Sequence, residues 1–260
     1  MRETFPLSAA GWRVYADELL ERGDAHGEFI ALQCERRDEV PGPREEQLRV
    51  EVMEPRLRAA LGPKLAVTRW SCGLVDAVEV SVDAEPVVEL RELAARTEGQ
   101  GLTRVVLTAQ GHGDLSPFWS SLADAPRFPR LEAVVVNSDE YMLGALQPLY
   151  AAYPGLKVLE LHGVEHHLGT MQLPALTRFA ASLLRPETIT SLVSAHWPRL
   201  EELELEFGPA PAEPEPVFAA LLSAPMSPVL REVTVRSPWP EFFRAALPRS
   251  PLGRGRVTRE

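Results

Sequence analysis

Residues 129–161 read PRLEAVVVNSDEYMLGALQPLYAAYPGLKVLEL, and the same six-residue frame occurs in them twice. LEAVVV starts at Leu131 and LKVLEL at Leu156, each with apolar residues at its first, fourth and sixth positions. A proline stands two residues before each frame, at Pro129 and Pro154, where no strand hydrogen bond is yet required. The spacing predicts a short strand, and the apolar stretch from Tyr141 to Tyr153 between the frames predicts a helix.

Extending the frame in both directions finds VDAVEV from Val75, LTRVVL from Leu102, LTRFAA from Leu176, LEELEL from Leu200 and LREVTV from Leu230. The starts of the seven copies are 27, 29, 25, 20, 24 and 30 residues apart, close to the interval of a repeat made of one strand and one helix or turn. Pro174, Pro198 and Pro228 repeat the proline mark. Helical spacing also appears from Glu85, Ser116, Pro186, Glu215 and Pro240, with cap and first-turn residues such as Ser116-Pro117 and Pro186-Glu187. Strand, turn, helix and return therefore recur from about residue 74 to about residue 245.

This frame resembles the leucine-rich repeat family, whose motif is L-x-x-L-x-L-x-x-N. The resemblance implies an α/β solenoid, a horseshoe with a parallel sheet on its concave face and helices on its convex face. The family's asparagine ladder is nearly missing: Ser138, Gly163, Leu183 and Phe207 stand near its place. The turns must satisfy their backbone groups by other means, as in a divergent or ribonuclease-inhibitor-like member. LTRFAA is the weakest copy.

The first part of the chain has a different pattern. GWRVYADELLERGDAHGEFIALQ, residues 11–33, places Leu19, Leu20, Phe29, Ile30 and Leu32 at helical spacing on either side of a turn at Gly23 or Asp24. It resembles the bacterial repeat-companion domain through Arg13, Val14, Tyr15, Ala16, Asp17, Leu19, Glu21, Arg22, Gly23, Asp24, Gly27, Glu28, Phe29, Ile30, Leu32 and Gln33. That module commonly precedes repeats, and no activity is attached to it. An open stack of repeats ends on a bare apolar layer, so residues 1–66 are expected to form a helical cap and residues 67–260 the repeat solenoid. Asp17, Glu21, Arg22, Asp24 and Glu28 are expected to act as a local ion-pair and capping set at the turn.

Composition narrows the function. The 260 residues carry a formal charge of -10, which disfavours a nucleic-acid partner. No apolar run reaches the length of a membrane span, and the start lacks a signal-peptide pattern, so a cytoplasmic protein is expected. Cys34 and Cys72 are too few for a disulfide framework or a four-cysteine zinc site and read as two buried thiols. The RGD at residues 22–24 reads as a helix-helix turn, and GHGD at residues 111–114 as a loop feeding a helix.

No nucleophile elbow, phosphate loop or comparable catalytic signature occurs. One enzymatic alternative stays open, a metal-dependent enzyme or enzyme subunit using His162, His166 and His167 with Glu160. The favoured reading is a non-enzymatic module without a cofactor that binds a protein or peptide, as an accessory or scaffold subunit. Strand alternation places Val135, Asn137, Val158, Glu160, His162, Arg178, Glu202, Glu204, Glu206 and Glu232 on one face. Glu201, Glu202, Glu204, Glu206 and Glu232 predict an acidic patch suited to a basic segment, with Ala133, Val135 and Val158 as an apolar anchor.

Overall fold

A computed structural model describes residues 9–36, 40–82, 88–124, 128–208, 214–224, 227–246 and 250. Two helices in contact come first among the described residues, α1 (Ala9–Glu21) and α2 (Ala25–Glu35), followed by α3 (Pro43–Leu48), a π-helical turn (Arg49–Met53) and α4 (Glu54–Leu61). The α1–α2 break is where the residues require it: Gly23 takes φ +72, and the Asp24 carboxylate accepts from His26 N at 3.0 Å to cap α2.

The acidic residues of this turn do not form a local set. Asp24 also pairs with Arg56 at 3.5 Å, and Glu28 is held by both ends of the Arg44 guanidinium at 2.7 Å, so each ties α2 to the helices that follow. Asp17, Glu21 and Arg22 are exposed.

Among the described residues, eight strands form one open sheet in chain order: β1 (Leu65–Ser71), β2 (Leu74–Val82), β3 (Arg104–Ala109), β4 (Ala133–Ala145), β5 (Val158–His167), β6 (Arg178–Leu184), β7 (Glu202–Phe207) and β8 (Glu232–Arg236). From β2 onward every pairing is parallel, and each of the seven frames corresponds to one strand, the first lying within β2 and the others starting two residues before theirs. The first, fourth and sixth residues of every frame are buried, from Val75, Val78 and Val80 to Leu230, Val233 and Val235. The weakest copy is no exception, with Leu176, Phe179 and Ala181 all inside.

Connections between strands carry α5 (Val88–Ala95), α6 (Ser116–Asp124), α7 (Gln147–Ala152), α8 (Ile189–Val193) and α9 (Pro214–Ser223), and α10 (Pro240–Ala246) follows β8. Their apolar residues, among them Leu90, Trp119, Leu149, Leu192, Phe218 and Phe243, share one core with the buried strand residues. The helices thus cover one side of the sheet and leave the alternate strand positions on the other.

The second residue of each frame satisfies the backbone between repeats. The carbonyls of Thr103, Glu132, Lys157, Thr177 and Glu201 each accept two consecutive N–H groups from the next frame, at 2.8 Å to 3.0 Å. Thr103 N in turn donates to Asp76 O. The prolines have an equally regular place. Leu131, Leu156, Leu176, Leu200 and Leu230 each donate to the carbonyl three residues earlier, which puts Pro129, Pro154, Pro174, Pro198 and Pro228 second in a tight turn. Their fixed φ is preorganised for that position.

Two boundaries differ from the sequence reading. Tyr141–Ala145 is the end of β4 and not a helix: after an irregularity beyond Asn137, Met142, Gly144 and Ala145 pair with Val164, His166 and His167 of β5. The helix starts only at Gln147, next to Pro148 at its first turn. The expected division at residues 66 and 67 falls inside β1, which pairs antiparallel with β2. Phe29, Leu48, Met53, Leu57 and Leu61 of the helical part belong to the same core as the sheet, and Phe29 packs edge to face on Trp70 at 5.4 Å. Among the described residues, no helix is long and apolar enough to cross a membrane.

Candidate binding face

Parallel pairing in register turns the outward strand positions into rows that cross the sheet. One row runs Ala77, Arg104, Ala133, Val158, Arg178, Glu202, Glu232. The next runs Glu79, Val106, Val135, Glu160, Ala180, Glu204, Thr234. A third carries Ser81, Thr108, Asn137 and His162. Glu206 and Arg236 continue the third row on the last two strands. All ten residues read from the sequence as a binding surface therefore lie on this face.

The middle of the face is a floor of small and apolar groups, with Ala77, Ala133, Val135 and Ala180 all buried. Val135 is only 5% exposed, which corrects its reading as an accessible anchor, because Val106 and Glu160 flank it in the same row. Val158 is half-buried.

Charge is distributed differently from a plain acidic patch. The Arg178 guanidinium spans three strands: Nε donates to Glu160 at 2.9 Å, one Nη to Glu202 at 2.6 Å and the other to Glu204 at 3.4 Å. Arg236 holds the second oxygen of Glu204 from the far side. Glu202 first, and then Glu160, hold the Arg178 pKa above its ordinary value against the opposing effect of burial. Much of the expected negative charge is thus paired inside the face. Glu160, Glu202, Glu204, Glu206 and Glu232 against Arg178 and Arg236 still leave three negative charges on this half of the sheet.

The three histidines do not converge. His162 lies on the outer face of the sheet with Nε2 4.0 Å from Glu160, whereas His167 is exposed. His166 is buried and donates through Nε2 to Ser182 O at 2.7 Å, and burial lowers its pKa below the usual histidine value. Among the described residues, no group of three or more His, Cys, Asp or Glu side chains is placed to hold a metal ion.

A second polar cluster, not anticipated from the sequence, joins the helical part to the β1–β2 turn. His26 Nε2 donates to Gly73 O at 2.9 Å, and Gly73 N donates to Gln33 Oε1 at 2.7 Å. Gln33 is itself bound to the buried Glu45 at 3.0 Å, and Arg36 reaches the same Glu45 oxygen at 3.2 Å. Burial lowers the His26 pKa below the usual histidine value, against the bond to Gly73, which favours the charged ring.

The chain is similar in fold to a solved protein of Bacteroides fragilis, a structural-genomics target. Identity is 16% and the TM-score 0.52; the match covers 63% of this chain and 52% of the other, so it spans about half of that protein's length. No family model and no curated protein matches the chain.

Proposed function

We propose that this chain is a leucine-rich-repeat-like solenoid, capped at its N-terminal side by a helical repeat-companion-like module, that binds a protein or peptide through the outer face of its sheet. It acts as a non-enzymatic accessory or scaffold subunit in this reading. The observation that carries it is the face itself: registered rows of half-buried polar side chains on an apolar floor, uncovered by any described helix, with acid in excess beyond Arg178. Such a surface favours an extended segment bearing Lys or Arg, whose cations meet Glu206 and Glu232 while the Arg178 network keeps neighbouring carboxylates in place.

The test reverses charges outside that network. Glu206→Lys with Glu232→Lys is expected to leave melting unchanged and to weaken binding of an oligo-arginine peptide by about tenfold or more at low salt, with a smaller salt dependence. Equal binding by the well-folded double variant and the wild type would move the partner site off this face.

A further inference from the structure

Helix α2 places His26, Ile30, Gln33 and Cys34 on one face, at the spacing of a helical stripe. That face grips the β1–β2 turn through the two bonds to Gly73, and Ile30 packs against the same glycine. Cys72, the residue before it, has φ +48, a left-handed conformation rare for a side-chain-bearing residue. Both thiols are half-buried and pack against the same cluster of Trp12, Ala16, Leu19, Ile30 and Leu74, and they interact with each other, next to the bond between their chain neighbours Gly73 and Gln33. Residues 38 positions apart in sequence, on a helix and on a strand turn, have been brought to one cluster.

We propose that Cys34 and Cys72 form an oxidative modification site, a dithiol that a small organic disulfide converts to an internal disulfide between α2 and the β1–β2 turn. In the first step the Cys72 thiol releases its proton to solvent, and its sulfur attacks one sulfur of the reagent. The reagent's S–S bond breaks, and one small thiolate leaves and takes up a proton. The Cys34 thiol then gives up its proton and its sulfur attacks Cys72 Sγ, expelling the second small thiol. Two protein thiols are oxidised and one disulfide is reduced to two thiols.

The order follows from the surroundings. Burial, followed by the neighbouring thiol, pushes Cys34 up to about 12, so Cys34 is the resolving cysteine and closure speeds up as pH rises. The product ties the helical part to the first strands of the sheet.

The experiment treats the folded full chain with oxidised glutathione and follows intact mass and non-reduced peptides. The wild type is expected to lose about 2 Da, to yield a Cys34–Cys72 linked peptide, to stay monomeric and to revert with dithiothreitol. Its melting midpoint is expected to rise by about 5 °C or more. Cys34→Ser is expected to stop at a glutathione adduct on Cys72, whereas Cys72→Ser gains an adduct on Cys34 at least about tenfold more slowly. Three results would overturn the proposal: a lasting adduct on the wild type, crosslinked dimers in place of the internal bond, or no reaction of the folded chain when the denatured chain oxidises.

Discussion

Gly73 carries more structural demand than its size suggests. Its φ is +73, and an added Cβ would fall 2.1 Å from Ile30 Cγ1 and 3.0 Å from His26 Nε2. Both backbone polar groups of this residue are engaged by α2, so the turn has no room to withdraw. Gly73→Ala is expected to cost about 3 kcal/mol, summing the left-handed penalty and the overlap, as read by urea unfolding. Gly23→Ala is the control. Gly23 has a similar φ of +72 but nothing within 4 Å, so only the backbone cost of about 1 kcal/mol remains. Equal losses at the two glycines would mean that α2 does not grip the turn as described. The sequence shows Gly23 as a turn residue, but the demand on Gly73 comes from the docking of α2 and leaves no local signal.

At the level of elements, Arg178 joins three strands that touch only their neighbours. It binds carboxylates of β5 and β7 from its place on β6, with side chains between one-fifth and one-half exposed. Arg178→Met removes the shared cation and leaves Glu160, Glu202 and Glu204 repelling one another. Partial exposure limits the loss to about 1 kcal/mol at low ionic strength, with most of it gone in about 1 M salt. Urea unfolding at the two salt concentrations checks this; a loss indifferent to salt would assign the effect to packing of the arginine stem.

The strands themselves were legible in the sequence because the buried first, fourth and sixth positions are a local pattern. Charge balance on the face was not, because which carboxylate an arginine meets depends on register between strands. Tyr141–Ala145 was misread for a related reason: its apolar spacing suits a helix, while pairing with His166 and His167 of β5 makes it a strand. β1 escaped notice as the antiparallel partner of the first frame, since its register shifts at Val67, Arg69 and Trp70 blur the alternation. The contact of Cys34 with Cys72 needed the docking of two elements and left no sequence signal.

On the scale of the whole molecule, adjacency in space follows adjacency in sequence. Each described strand pairs only with its predecessor and successor, and carbonyl bonds join each frame to the next, doubled from the second frame to the seventh. The helical part is the exception, since Phe29 and Met53 reach into the common core and His26 and Gln33 clasp the first turn. A mechanical consequence follows from the carbonyl ladder. A force applied to the C-terminal end, with the N-terminal end held, loads the β7–β8 seam alone, so its bonds yield before those behind it feel the pull. Extension should then proceed as a staircase in an optical trap. Each step frees one repeat of 20 to 30 residues, about 7 to 10 nm of chain, and the clasped helical end gives way last. One abrupt rip of the full length would show that the seams yield together.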